Sequence, residues 1–483
     1  MRIARKGFLK GSLSLLGFAA LRGGRIFAAP PGWKPGKTPR LVFGVLSDTH
    51  FRCDNEWRSG VKSNKFFVAA LEYFRERNVD AVVHCGDMAD RGLVEELQLH
   101  ADAWNSVFPQ NKAPDGHVVE KLFVSGNHDA IGWNEDMNWA KFVPRKSEWT
   151  EKILKMDFAR HWERIWGEKY EPVWHRRVKG VDFFGMNWIE NSNGEGEARL
   201  LQLMDDEPPA PGPFFFVTHE RTHGRFNAAV KRHPGGFGLW GHWHLSAANW
   251  KTIHMLNRET PGVQCPACPS WWRPDGKWMG GGDSDIAEVP IEGKLLGGRW
   301  EQGLVIGVYD DMIVIERREF SQGGSLGADW VMPFGRSPHP FSKGELRKKI
   351  GKPQFREGAE LEVVNVANVK MPPIADIQSR LGTGNIAIKI PPADGNPDSR
   401  VYAYEVVVAA ENGTQKLHKA VYASGCNMGI GHESDGGVTT LEIPCAEIAS
   451  VIPGPQSVAT VAVRPLSSLG TKGAAIAKEI KLA

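Results

Sequence analysis

RLVFGVLSDTH, residues 40–50, is the stretch on which the fold turns. Arg40 to Ser47 is an apolar run of strand length, and it stops on Asp48 and His50. Two residues apart on an extended backbone, those side chains are expected to point the same way. A carboxylate and an imidazole side by side at a strand end suggest a site rather than a core.

Working outward, the same plan recurs four times. Val79–His84 leads into Gly86-Asp87-Met88-Ala89-Asp90-Arg91-Gly92, and Val118–Ser125 leads into Gly126-Asn127-His128-Asp129. Phe214–Thr218 ends at His219, and Phe237–Trp240 ends at Gly241-His242-Trp243-His244, where His242 and His244 repeat the two-residue spacing. Asp182–Trp188 is a further apolar run, and residues 303–319 read as a hairpin turning at Asp310-Asp311. Between the strands, Phe66, Phe67, Ala70, Leu71 and Phe74 recur at helical spacing, and Leu93–Val107 reads as another helix. Near-continuous apolar strands alternating with helices predict an α/β class, with a sheet covered on both faces. Chemistry gathered at the carboxyl ends of strands is where ligands of open α/β sheets bind.

The donors offered by these strand ends are oxygen and nitrogen: Asp48, His50, Asp87, Asn127, His219, His242 and His244. Such a set suits Mn, Fe or Zn and does not make a soft thiolate site. It is large enough for two divalent or trivalent ions, which can clamp the attacking and leaving oxygens of an in-line displacement and lower the pKa of a bound water. His219 is preferred over His223 because it directly follows a strand. Trp243, between two candidate ligands, would either stack on a substrate or pack.

The order D-x-H, G-D-x-x-D-R-G, G-N-H-D, H, G-H-x-H resembles the calcineurin-like metallophosphoesterase superfamily, over residues 40–320. That resemblance implies a four-layer αββα sandwich and a phosphate-ester substrate. It implies hydrolysis of a phosphomonoester or phosphodiester by a hydroxide held on a dinuclear centre. Asp48, His50, Asp87 and His244 would hold one ion, and Asp87, Asn127, His219 and His242 the other, with Asp87 bridging. His128 would protonate the leaving oxygen or stabilise the charged transition state. Asp90 would orient His128. Arg91 would contact phosphate, although a salt bridge explains it equally well. Asp90 stands where purple acid phosphatases carry a tyrosine, so an iron–tyrosinate colour is not expected.

A chain of 483 residues implies two or three domains. The expected domains are residues 38–335 for the metallophosphoesterase and 356–483 for a smaller all-β sandwich. Tryptophan occurs from Trp33 to Trp330 and then vanishes, and near residue 336 the sequence turns to short alternating runs separated by Pro, Gly and Asn. The predicted strands there are 360–366, 385–390, 401–409, 419–423, 439–443 and 458–464, spaced as in an antiparallel sandwich. The ending TVAVRPLSSLG, residues 460–470, looks like the last strands of a fibronectin type III domain. Residues 130–174 form an aromatic-rich insertion containing Trp149, Ile153, Met156, Phe158, Trp162 and Trp166, read as a packed helix or as a wall over the site.

Residues 1–29 read as an export signal. Arg2, Arg5, Lys6 and Lys10 are basic, Gly11–Leu21 is apolar, and Ile26-Phe27-Ala28-Ala29 offers small residues for cleavage. Arg5-Lys6-Gly7-Phe8-Leu9-Lys10 resembles a twin-arginine signal with Lys6 at the second arginine. The apolar run is shorter than the roughly 20 residues needed to span a bilayer, so no transmembrane anchor is expected. A periplasmic or extracellular location follows. The net charge of +3 gives no footprint for nucleic acid. Of six cysteines, Cys265 and Cys268 form a lone C-x-x-C, read as a loop disulfide or incidental thiols, and Cys426 and Cys445 are a candidate pair. A second class of function also fits: an exported binding or adhesion protein whose sandwich contacts glycan or envelope.

Overall fold

The computed structural model describes residues 38–52, 60–130, 158–188, 195–248, 250–266, 286–292, 301–321, 323–334, 339–364, 385–395, 400–410, 416–426, 429, 434–452 and 458–481. The expected export signal lies outside them. Residues Thr38–Ala483 form one compact unit.

The first strands are short, mostly apolar and mostly buried. β1 (Leu41–Leu46), β2 (Ala81–Cys85) and β3 (Glu120–Val124) run parallel, with Phe43 opposite Ala81 and Ala81 opposite Glu120. A second sheet takes β4 (Val173–Val178), β5 (Val181–Met186), β6 (Phe214–Thr218), β7 (Gly236–Trp240), β8 (Ile253–Met255) and β9 (Pro261–Gln264) in the order β4-β5-β6-β7-β9-β8. The chain then makes β10 (Ile291–Glu292) and returns to the first sheet. There β11 (Gln302–Val308), β12 (Met312–Glu319), β13 (Gly324–Ser325) and β14 (Trp330–Pro333) extend it, β11 lying antiparallel against β1.

Side chains of the central strands alternate between two buried faces, which is why these strands are mostly apolar. Phe43, Val45, Ala81 and Val83 point toward Phe183, Phe215 and Phe237 of the second sheet in one core. The Phe43 ring meets Phe183 and Phe215 edge-on at 5.2 and 5.0 Å. The opposite face of the first sheet, with Leu46, Val82 and Phe123, is covered by α1 (Gly60–Glu76), α2 (Val94–Val107) and α3 (Phe158–Trp166). Phe184, Phe216 and Trp240, on the outer face of the second sheet, are covered by α4 (Glu195–Asp206) and α5 (Gly224–Val230). The layering is αββα.

α3 is the described part of the aromatic insertion. Phe158, Trp162 and Trp166 are buried, and Trp166 meets Phe123 at 5.2 Å, so this helix packs on the sheet. Trp149, Ile153 and Met156 lie outside the described residues. α4 has no counterpart in the sequence reading. Its buried Gly196, Leu200 and Met204 recur every four residues, a signal that was there to find.

Beyond α6 (Lys343–Ile350), β15 (Gln354–Phe355), β16 (Glu362–Val364), β17 (Asn385–Ile390), β18 (Ala393–Asp394), β19 (Val401–Ala410), β20 (Lys416–Tyr422), β21 (Thr439–Pro444), β22 (Val458–Ser467) and β23 (Ile476–Lys481) make a β-rich region. Two sheets, β16-β17-β21 and β10-β20-β19-β22-β23, share a core of Ile386, Ile388, Ile390, Val406, Val408, Leu441, Ile443, Val461 and Val463. The composition break near residue 336 is crossed twice. Ile286, Ala287 and β10 join the C-terminal core and sheet, while Phe341, Leu346, Ile350 and Leu469 join the core between the two N-terminal sheets. Cys426 and Cys445 are both buried free thiols. Cys268 lies outside the described residues, and Cys265 instead sits 3.5 Å from the Cys85 sulfur.

Candidate metal centre

β1, β2, β3, β6 and β7 all end on the same edge of the layered domain, and the five motifs converge there. In the first cluster, Asp48 Oδ1 lies 3.2 Å from His244 Nε2, and His50 Nε2 lies 3.2 Å from His244 Nε2 and 3.7 Å from Asp87 Oδ2. In the second, Asp87 Oδ2 lies 3.3 Å from His219 Nε2, and Asn127 Oδ1 lies 2.8 Å from His219 Nε2 and 2.9 Å from His242 Nδ1. Asp87 Oδ2 belongs to both. Donors each about 2.1 Å from a shared ion stand roughly 3–3.5 Å apart, so these spacings fit two metal ions. Oxygen and imidazole donors alone line the clusters. All seven expected ligands are thus brought together.

The local backbone differs from the extended form expected at Asp48 to His50 and at His242 to His244. All four residues have positive φ: 52° for Asp48, 43° for His50, 76° for His242 and 50° for His244. Asp87, at 58°, joins them. A left-handed step turns the chain where each of these strands ends, and Asp and His tolerate it better than most residues. Five of the nine positive-φ residues other than glycine, among the described residues, are therefore in this one site. Such strain persists where surrounding contacts over-determine it.

Those contacts are visible. His242 N–H donates to both oxygens of Asp48 at 3.0 and 3.1 Å. His128 N–H donates to Asp87 Oδ1 at 2.8 Å, which leaves Oδ2 facing both clusters. Thr49 Oγ1 reaches His84 Nε2 at 3.1 Å and the Met88 carbonyl at 3.4 Å, joining the first motif to the second. Asp129 accepts from Ala89 N–H at 2.7 Å and Gly126 N–H at 2.8 Å, joining the second to the third. Gly241 is required because a Cβ there would come within 2.0 Å of Ser47 Oγ. None of Thr49, His84 or Asp129 stood among the sequence-derived site residues. Only their partners across the fold reveal them.

The site is short of positive charge. Burial works against ionised Asp48, yet His244 and His219 hold its carboxyl well below the usual range. Asp87 is likewise held low by His219 and His128 against its burial. Burial also opposes charge on His219, but Asp87 and Asp48 win and raise its pKa to about 10. A buried pair of carboxylates that recruits a proton in this way is a site that a cation would satisfy.

His128 Nδ1 lies 2.6 Å from the Asp90 carbonyl oxygen, and its ring stands edge-on to His50 at 4.6 Å. The Asp90 carboxylate faces His50 Nδ1 at 3.4 Å and Arg52 at 2.9 Å. Its side chain is thus placed behind a candidate ligand, and its main chain meets His128. Arg91 donates through Nε and Nη2 to Glu96 Oε1 at 2.9 and 2.8 Å, the salt-bridge arrangement. Burial raises the Glu96 carboxyl to about 7 even so. Glu220 lies 3.6 Å from His242 Nε2, the nitrogen turned away from the cluster.

The family model of calcineurin-like phosphoesterases matches residues 41–246. Comparison with curated proteins gives no match. Among solved structures, a dimetal phosphatase from Danio rerio is similar at 11% identity, with a TM-score of 0.35, over 62% of this chain and 100% of that one. The purple acid phosphatase PPD1 from yellow lupin (Lupinus luteus) seeds is similar at 14% identity, with a TM-score of 0.36, over 62% of this chain and 55% of that one. Residues 41–246, with their strand-end donors, form a calcineurin-like phosphoesterase domain, and the chain that carries it is a metal-dependent phosphoesterase.

Proposed function

We propose that the chain hydrolyses a phosphomonoester or phosphodiester at a dinuclear centre of Mn, Fe or Zn ions. Asp48, His50, Asp87 and His244 would hold one ion, and Asp87, Asn127, His219 and His242 the other. The observation that carries this reading is the sharing of Asp87 Oδ2 between two donor clusters. Bound ions supply an activated water and neutralise charge on the phosphoryl group.

The remaining work falls to the protein. His128, with Nδ1 directed at the Asp90 carbonyl oxygen, keeps Nε2 for the leaving oxygen and gives it a proton. The Asp90 carboxylate and Glu220 fix His50 and His242 from behind, as acidic partners of ligating histidines do. Arg91, engaged by Glu96, steadies the second motif, with direct phosphate contact as its further role. The chain acts after export to the periplasm or beyond, as the basic and apolar residues of 1–29 favour. A purely adhesive role would leave the buried donor cage without a purpose.

The test is hydrolysis of bis-p-nitrophenyl phosphate and p-nitrophenyl phosphate with Mn, Zn or Fe supplied, Asp87→Asn serving as control. Diester turnover lost in the variant establishes a phosphodiesterase. Monoester turnover alone establishes a phosphatase. No turnover of either by metal-loaded protein sinks the reading for simple esters.

A further inference from the structure

Among the described residues only two large hydrophobic side chains are exposed, Val118 at 52% and Trp243 at 48%. Val118 precedes β3, at the end of the strands opposite the site. Trp243 stands between His242 and His244, on the rim of the metal centre. The sequence left stacking and packing open for it, and its half-exposure leaves part of the ring open to a ligand.

The loop beneath Trp243 is held firmly. Its own N–H donates to the Gly241 carbonyl at 3.0 Å, and the Asp48 carboxylate grips His242 N–H. Its ring stands 6.2 Å from the His242 ring at 84°. A second indole shares this rim: Trp188 Nε1 donates to Glu220 Oε1 at 3.2 Å, and Glu220 faces His242 Nε2. A large aromatic face, wet on one side and carried by a rigid loop beside a phosphoryl site, loses little conformational freedom on stacking.

We propose that Trp243 is a stacking platform for a planar aromatic group one sugar away from the scissile phosphate, so that the substrates are phosphate esters of nucleosides. This rests on the phosphoesterase reading above and specifies its substrate class. The indole face accepts the base without selecting among bases, because every base has a π-face.

The test is calorimetric titration of the metal-loaded full chain with adenosine 5′-monophosphate and with ribose 5-phosphate, which carries a hydroxyl in place of the base. Adenosine monophosphate is expected to bind at least about fivefold more tightly, the lower range of base–aromatic stacking. In Trp243→Ala the ratio of the two affinities falls to about 1, and in Trp243→Phe most of it returns. Equal affinities in the wild-type chain, or a ratio unchanged in Trp243→Ala, overturn the proposal. Ribose 5-phosphate binding and metal-dependent p-nitrophenyl phosphate turnover report the centre itself. If both persist while the base gives no advantage, only the platform falls. If neither ligand binds and no ester is cleaved, both readings fall.

Discussion

The metal-centre rim and the C-terminal β region are built on opposite terms. At the rim, Asp48, His50, Asp87, His242 and His244 hold positive φ and bury carboxylates against histidines. In the C-terminal region, the described residues with positive φ are all glycine, and its core is largely aliphatic, with Tyr402, Tyr404 and Tyr422 among the isoleucines and valines. A polypeptide stores strain and unsolvated charge where a ligand will use them, and elsewhere follows local preference. The contrast separates residues that set chemistry from residues that set stability.

Asp87→Asn should break the contrast most. Losing the shared carboxylate is expected to cost both ions and on the order of 10³-fold in kcat/KM, several kcal/mol of transition-state stabilisation. Metal analysis beside hydrolysis checks it, and a variant that keeps two ions and full rate would remove Asp87 from its bridging role. His128→Ala should keep its metal and lose about 10²–10⁴-fold in rate, most for esters with poor leaving groups. A uniform loss across leaving groups would reassign His128 from proton donor to charge stabiliser.

Thr49→Val should sharpen the comparison, because its hydroxyl touches only the scaffold of the site. Metal affinity is expected to drop about 10–100-fold, as for groups that orient ligands, with Thr49→Ser restoring it. Equal affinities in all three proteins would show that the hydroxyl positions nothing. Ile388→Ala, in the C-terminal core, should do the reverse. It is expected to lower unfolding stability by about 2–5 kcal/mol in denaturant titration and leave kcat within about twofold. A large loss of kcat in folded Ile388→Ala would tie the two regions together in catalysis.

Much of this was legible in the sequence. β6 and β17 occupy the residues predicted for them, and β1, β2, β19 and β21 differ from prediction only at their ends, because apolar runs and turn residues are local signals. The positions of the seven expected donors were legible for the same reason: they follow five apolar runs. The left-handed backbone at Asp48 and His50 was not, because alternation in a strand says nothing of the step that ends it. Nor was β10, whose two residues carry no pattern and are fixed by pairing with β20.

The sequence by itself determined an α/β domain with carboxylate, amide and imidazole donors at five strand ends, followed by a β-rich region. Hydrophobic periodicity and motif order are written along the chain, and they needed no partner to be read. Tertiary structure alone decided who meets whom: β11 beside β1, the Asp90 carboxylate behind His50, Glu96 on Arg91, Glu220 at His242 and Trp243 half-exposed beside it. Burial and hydrogen bonding between residues distant in the chain are properties of the packed molecule. They fix which of a side chain's permitted partners it takes.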